Sequence, residues 1–151
     1  MKKVILLFLM SVVCFWGVSA DGSDWIFLGK NSLGTTYYDK DSVKQLAGNI
    51  VRVSVKIVYS SEGVREARES FSQVDPAEPI SYTLYVYEVN CSQGSCRLLK
   101  ASTHNSSDTL INGTELDYLA TGLASWEIIT PNSRMALLSE ESCKYQLYDH
   151  E

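Results

Sequence analysis

The sequence predicts an α+β domain: a meandering antiparallel sheet of about five to seven strands with a C-terminal helix packed on one face. Three observations predict it. From Ile50 to Tyr59, Val51, Val53, Val55, Ile57 and Tyr59 alternate with Arg52, Ser54, Lys56 and Val58. That period of two gives a strand one buried and one mostly wet face. Other short runs of strand formers are separated by turn residues rather than by long helical stretches. After Thr130-Pro131 the apolar residues switch to helical spacing.

The elements follow in order. Lys2 and Lys3 precede a nearly continuous apolar run from Val4 to Val18, and Val18-Ser19-Ala20 offers compact residues before Asp21. Residues 1–20 therefore read as a cleavable secretory signal peptide, followed by one domain over residues 21–151 with no transmembrane helix after cleavage. Val13 before Cys14 is not small, and Cys14 lies inside the apolar run, so lipid attachment there is not expected.

Trp25-Ile26-Phe27-Leu28 and Thr35-Thr36-Tyr37-Tyr38 flank turn residues and predict a hairpin. Asp39-Lys40-Asp41-Ser42 predicts a turn or a helical turn. Ser61-Glu62-Gly63 predicts a break after the alternating strand, and the charged stretch Val64 to Val74 a short helix or an excursion. In Ser81 to Asn90, Tyr82, Leu84 and Val86 oppose Tyr85, Tyr87 and Val89. Both sets are apolar, which predicts a central strand covered on both sides. Ser92-Gln93-Gly94-Ser95 turns into a paired strand from Arg97 to His104. A further turn leads to Thr109-Leu110-Ile111, and Ser125 to Ile129 is the last strand expected, carrying Trp126 and Ile128. Thr130 is the expected N-cap and Pro131 the first helical residue. In the helix, Met135, Leu138 and Ser142 share the inward stripe, while Glu140 and Glu141 point away.

Loss of the signal peptide leaves 11 basic against 18 acidic residues, a net charge of −7. That balance, without a Lys/Arg cluster, argues against nucleic acid as a partner. No catalytic constellation is visible. His104 has no partner motif and reads as an exposed turn residue, and His150 stands next to the last residue. There is no nucleophile elbow, phosphate loop or metalloprotease helix. The acidic residues are scattered, so no cofactor, metal site or enzymatic activity is expected. Cys91, Cys96 and Cys143 lie in the mature chain. Export permits a disulfide, and both the short Cys91–Cys96 and the long Cys91–Cys143 bridge are open on this reading.

The Tyr82–His104 hairpin is the most aromatic part of the chain, and Arg97 and Lys100 add positive charge to an acidic domain. Tyr85, Tyr87, Arg97 and Lys100 are therefore the candidate binding residues for a protein partner. The competing account places the tyrosines in the core.

Several stretches recur together: Trp25-Ile26-Phe27-Leu28-Gly29; Thr36-Tyr37-Tyr38-Asp39-Lys40-Asp41-Ser42; Val51-Arg52-Val53 through Val58-Tyr59-Ser60; Leu84-Tyr85 with Tyr87-Glu88-Val89-Asn90-Cys91; Arg97-Leu98-Leu99; Trp126-Glu127-Ile128-Ile129 with Pro131-Asn132-Ser133; and Cys143. In order and spacing, over about residues 25–144, they resemble the bacterial surface-adhesin protein E-like family. The resemblance implies a PAS-like antiparallel sheet with flanking helices. It implies a Gram-negative envelope protein, periplasmic or at the cell surface, in a family whose name-giving member resembles an adhesin for host matrix and serum proteins such as vitronectin and laminin. It implies the pair Cys91–Cys143, with Cys96 as an addition. The function expected is thus an exported, non-enzymatic, adhesin-like binding module. The alternative is a soluble periplasmic domain that binds a small ligand or a partner protein.

Overall fold

The computed structural model describes residues 22–71 and 74–147; the predicted signal peptide and His150 lie outside them. Strands β1 (Trp25–Asn31), β2 (Gly34–Leu46), β3 (Ile50–Tyr59), β4 (Ile80–Asn90) and β5 (Ser95–Asn105) form an antiparallel meander in sequence order. Two short strands, β6 (Leu116–Asp117) and β7 (Glu127–Ile128), pair with β5. Helix α1 (Ser61–Ser70) links β3 to β4, and α2 (Arg134–Cys143) follows β7. The α+β class and the C-terminal helix on the sheet are as expected.

Local chemistry explains the turns. Asn31 Oδ1 accepts from the backbone N–H groups of Leu33 and Gly34, closing the β1–β2 hairpin. Gly94 takes a left-handed φ of 60° in the β4–β5 turn.

The expected turn at Asp39–Ser42 lies inside β2. Pairing jumps there from Asp39↔Ser54 to Lys44↔Arg52, so the extra residues form a bulge. Turn chemistry holds it. The Asp39 carboxylate accepts from the Asp24 and Asp41 N–H groups, and Ser42 Oγ donates to the Asp39 carbonyl.

The strand breaks at Ser61-Glu62-Gly63 as expected, and the same residues open α1, three positions before the expected start at Val64. Ser60 Oγ caps it by accepting from Gly63 N–H at 3.1 Å. Gly63 fits the helix because it presses on the Leu33 carbonyl, where no side chain would fit. The C-terminal helix begins at Arg134, capped by Ser133, and not at Pro131 after Thr130. Asn132 has a φ of 59°, and Ser133 N–H donates to the Thr130 carbonyl. Pro131 followed by a left-handed residue is therefore a turn, which delays the helix. The strand expected over residues 125–129 is reduced to Glu127–Ile128, and both Trp126 and Ile128 are exposed.

Both helices cover the same face of the sheet. On it Val51, Val53 and Val89 are fully buried together with Leu138 of α2, joined by Leu28, Tyr38 and Val55. Ala67 of α1 packs with Ile80 and Ile111, beside Tyr59 and Val64. Cys91, just after β4, is bonded to Cys143, the last residue of α2. β4 is central, as expected, but no helix covers its second face.

Candidate binding surface: the open face of the sheet

Residues directly opposed in neighbouring antiparallel strands share a face. The register therefore writes out the face without helices as rows. One row runs Trp25, Asp39, Ser54, Val86, Lys100 and Asp117. The next is Phe27, Tyr37, Lys56, Leu84 and Ser102, and a third is Thr35, Val58, Tyr82 and His104. A fourth is Lys44, Arg52, Glu88 and Arg97.

Aromatic rings and cations interleave along these rows. Phe27, well exposed, meets Tyr37 edge to face, with ring centres 6.1 Å apart. Lys56 Nζ lies 4.1 Å from the ring centre of Tyr82 and 5.3 Å from that of Trp25. Tyr82 in turn stacks on His104 with ring centres 5.0 Å apart, and its hydroxyl donates to Asp108 at 3.0 Å. Burial first, and then that acceptor, push the Tyr82 phenol up to about 12. His104 Nε2 lies 3.1 Å from Ser102 Oγ. His104 is thus a strand residue locked in a stack, not the exposed turn residue expected.

Glu88 anchors the far row. Its carboxylate is buried and accepts from Arg52 and from Arg97, each with a shortest N–O distance of 2.6 Å. Burial alone would raise its pKa, but the hydrogen bonds and charges of the two guanidinium groups outweigh that and hold it below the ordinary carboxylate value. The Arg97 guanidinium also lies 4.6 Å from the centre of the exposed Trp126 ring. Beside this row the β2 bulge opens a groove of about 660 Å³, lined by Asp39, Asp41, Ser42, Lys44 and Arg52. A second hollow of about 260 Å³, lined by Trp25, Leu84, Lys100, Ser102 and Glu115, continues it across the sheet.

The four candidate binding residues do not form one surface. Tyr85 and Tyr87 pack against the core on the helix-bearing face, with ring centres 6.0 Å apart. Burial raises both phenols, that of Tyr87 to about 12. Arg97 and Lys100 are on the open face, and each is paired within the chain, Arg97 to Glu88 and Lys100 to Asp117 at 3.1 Å. Sequence reading put Tyr82 in the candidate hairpin but missed Lys56, which makes no ion pair among the described residues, and Trp25 beside it. The period-two signal in β3 did place Lys56 on the wet face; the register that brings it to Tyr82 was not legible.

On the opposite face a cleft lies between the two helices. Its outer part, about 220 Å³, is bounded by Tyr59, Ala67, Phe71 and Tyr85, and its inner part, about 160 Å³, by Leu28, Val55, Met135 and Leu138. Ile57, Tyr85 and Arg134 line both.

No curated protein matches the sequence significantly. Solved structures that share the fold include two of protein E. The crystal form II structure of Haemophilus influenzae protein E superposes with a TM-score of 0.56 at 14% identity, covering 82% of this chain and 90% of that one. The structure of protein E from non-typeable Haemophilus influenzae gives a TM-score of 0.53 at 15% identity, covering 86% and 82%. The family model for surface-adhesin protein E matches residues 25–144, which takes in every strand and α2 with the cysteine that ties it down, and the chain belongs to that family.

Proposed function

We propose that the protein is an exported envelope protein that acts by binding rather than by turnover, as an adhesin-like module. In this reading the mature chain starts at Asp21, and the open face of the sheet, not the Tyr85–Tyr87 side of the hairpin, recognises a protein partner. The observation that carries it is the group of exposed Phe27 and half-buried Trp25, Lys56 and His104 on a face that neither helix covers, with the buried Tyr82 ring holding Lys56 and His104 in place from within. Aromatic rings give contact area at low entropic cost, and interleaved cations give direction to an acidic or mixed-charge partner. Membership of the surface-adhesin protein E family supports the binding role.

The test is capture of immobilised vitronectin and laminin, the ligand classes the family resemblance implies, by the exported protein. Lys56→Glu combined with Phe27→Ala is expected to weaken capture about tenfold or more with the melting temperature kept. Unchanged capture by the folded variant moves the site elsewhere, and no capture by the wild type removes the adhesin reading. Protease treatment of intact cells separates the two locations: cleavage places the protein at the cell surface, and protection places it in the periplasm. The cleft between the helices favours a second reading, a periplasmic domain that binds a small ligand.

A further inference from the structure

We propose that the cleft between α1 and α2 is a binding site for a medium-chain fatty acid, with Arg134 as the carboxylate receptor. The two parts of the cleft share Ile57, Tyr85 and Arg134 in their walls, so Arg134 borders both. The inner end is mainly apolar: Leu28, Val55, Met135 and Leu138, with Tyr87 and Thr36 beside them. An unbranched alkyl chain suits a narrow apolar hollow, and the flexible Met135 side chain can adapt to it.

Arg134 supplies the charge complement. Its Nη1 donates to Thr36 Oγ1 at 2.7 Å, which fixes the guanidinium against β2. No carboxylate lies within 4.0 Å of it among the described residues, and its remaining N–H donors have no acceptor there. A half-buried guanidinium beside an apolar hollow is completed by one carboxylate, bound through two parallel hydrogen bonds. Glu66 lies at the outer mouth on the exposed side of α1. Its charge opposes a carboxylate there and favours the pose with the head group at Arg134.

The site is on the opposite face from the open-face group and is tested without any protein partner. Calorimetric titration of the purified exported protein with decanoate, below its micellar concentration, is expected to show one site. Decan-1-ol should bind about tenfold weaker or worse, because it lacks the charge. Arg134→Gln, which can still donate to Thr36, should bring decanoate down to the level of the alcohol, and Arg134→Lys should recover part of the difference. Glu66→Gln should tighten decanoate binding. In case Arg134→Gln fails to fold, amide and methyl shifts of the wild type serve instead. Changes at Ile57, Ala67 and Met135 on adding decanoate support the site. Equal affinity for acid and alcohol, no binding of decanoate at millimolar concentration, or shifts confined to the open face would overturn it.

Discussion

Cys91 and Cys143 are bonded across a sequence separation of 52, tying the last residue of α2 to the end of β4. A cross-link over so long a loop removes many conformations from the unfolded chain, worth about 4 kcal/mol in the chain-entropy model. Replacing both cysteines with serine should lower unfolding stability by up to that amount, read from urea melts. A loss below about 1 kcal/mol would mean that packing of Leu138 alone holds the helix.

Glu88 predicts a different sensitivity. Its buried carboxylate serves both Arg52 and Arg97, so Arg97→Glu sets two carboxylates against each other. Arg52 still pairs with Glu88, so the lost hydrogen bonds and the added like charge should cost about 1–3 kcal/mol. The expected outcome is a destabilised fold, not a folded protein with altered binding. A variant that melts like the wild type would contradict the anchoring role.

The same carboxylate gives an acid dependence. Its pKa is lowered in the folded state from an ordinary 4.5, so the unfolded chain takes up the proton first as pH falls. Its contribution is therefore complete above pH 4.5 and is lost as pH drops through the folded value. Urea midpoints measured downward from pH 7 should fall below pH 4.5 in the wild type and change less over that window in Glu88→Gln.

Tyrosine titration runs the other way. Tyr38, Tyr82 and Tyr87 are raised from 10.0 to about 12, each mainly by burial. Raised folded values mean stability that is complete below pH 10 and lost as pH climbs toward 12. Ultraviolet titration of the native protein should show these phenols ionising late, and in step with unfolding. Ionisation of all the tyrosines near pH 10 in a protein that remains folded would contradict their burial.

Gly63 tests how α1 seats. A β-carbon there would collide with the Leu33 carbonyl oxygen and sit 3.0 Å from Tyr59 Cδ1. Backbone oxygen cannot swing aside, so Gly63→Ala should destabilise the fold by about 1–3 kcal/mol despite the better helix propensity of alanine. A thermal melt decides, since propensity alone predicts a gain.

The sequence by itself determined the elements whose signals are local. Alternation from Val51 to Tyr59 specified a half-buried strand, and the stripe Met135, Leu138, Ser142 specified the buried side of α2. The turn chemistry of Asp39–Ser42 was legible too, but not its use as a bulge, because the same side-chain hydrogen bonds serve a chain reversal or an insertion within a strand. Only the pairing of β2 with β3 chose between them. The tertiary structure likewise decided which side of the hairpin is open. Period two divides Tyr82 from Tyr85 and Tyr87, yet says nothing about which set meets a helix. That depends on packing between residues far apart in the chain: Leu138 on Val51 and Val53, Ala67 beside Tyr59, and the bond from Cys143 to Cys91. Those contacts put both helices over Tyr85 and Tyr87, and left Lys56, Tyr82 and Arg97 on the side that no helix covers.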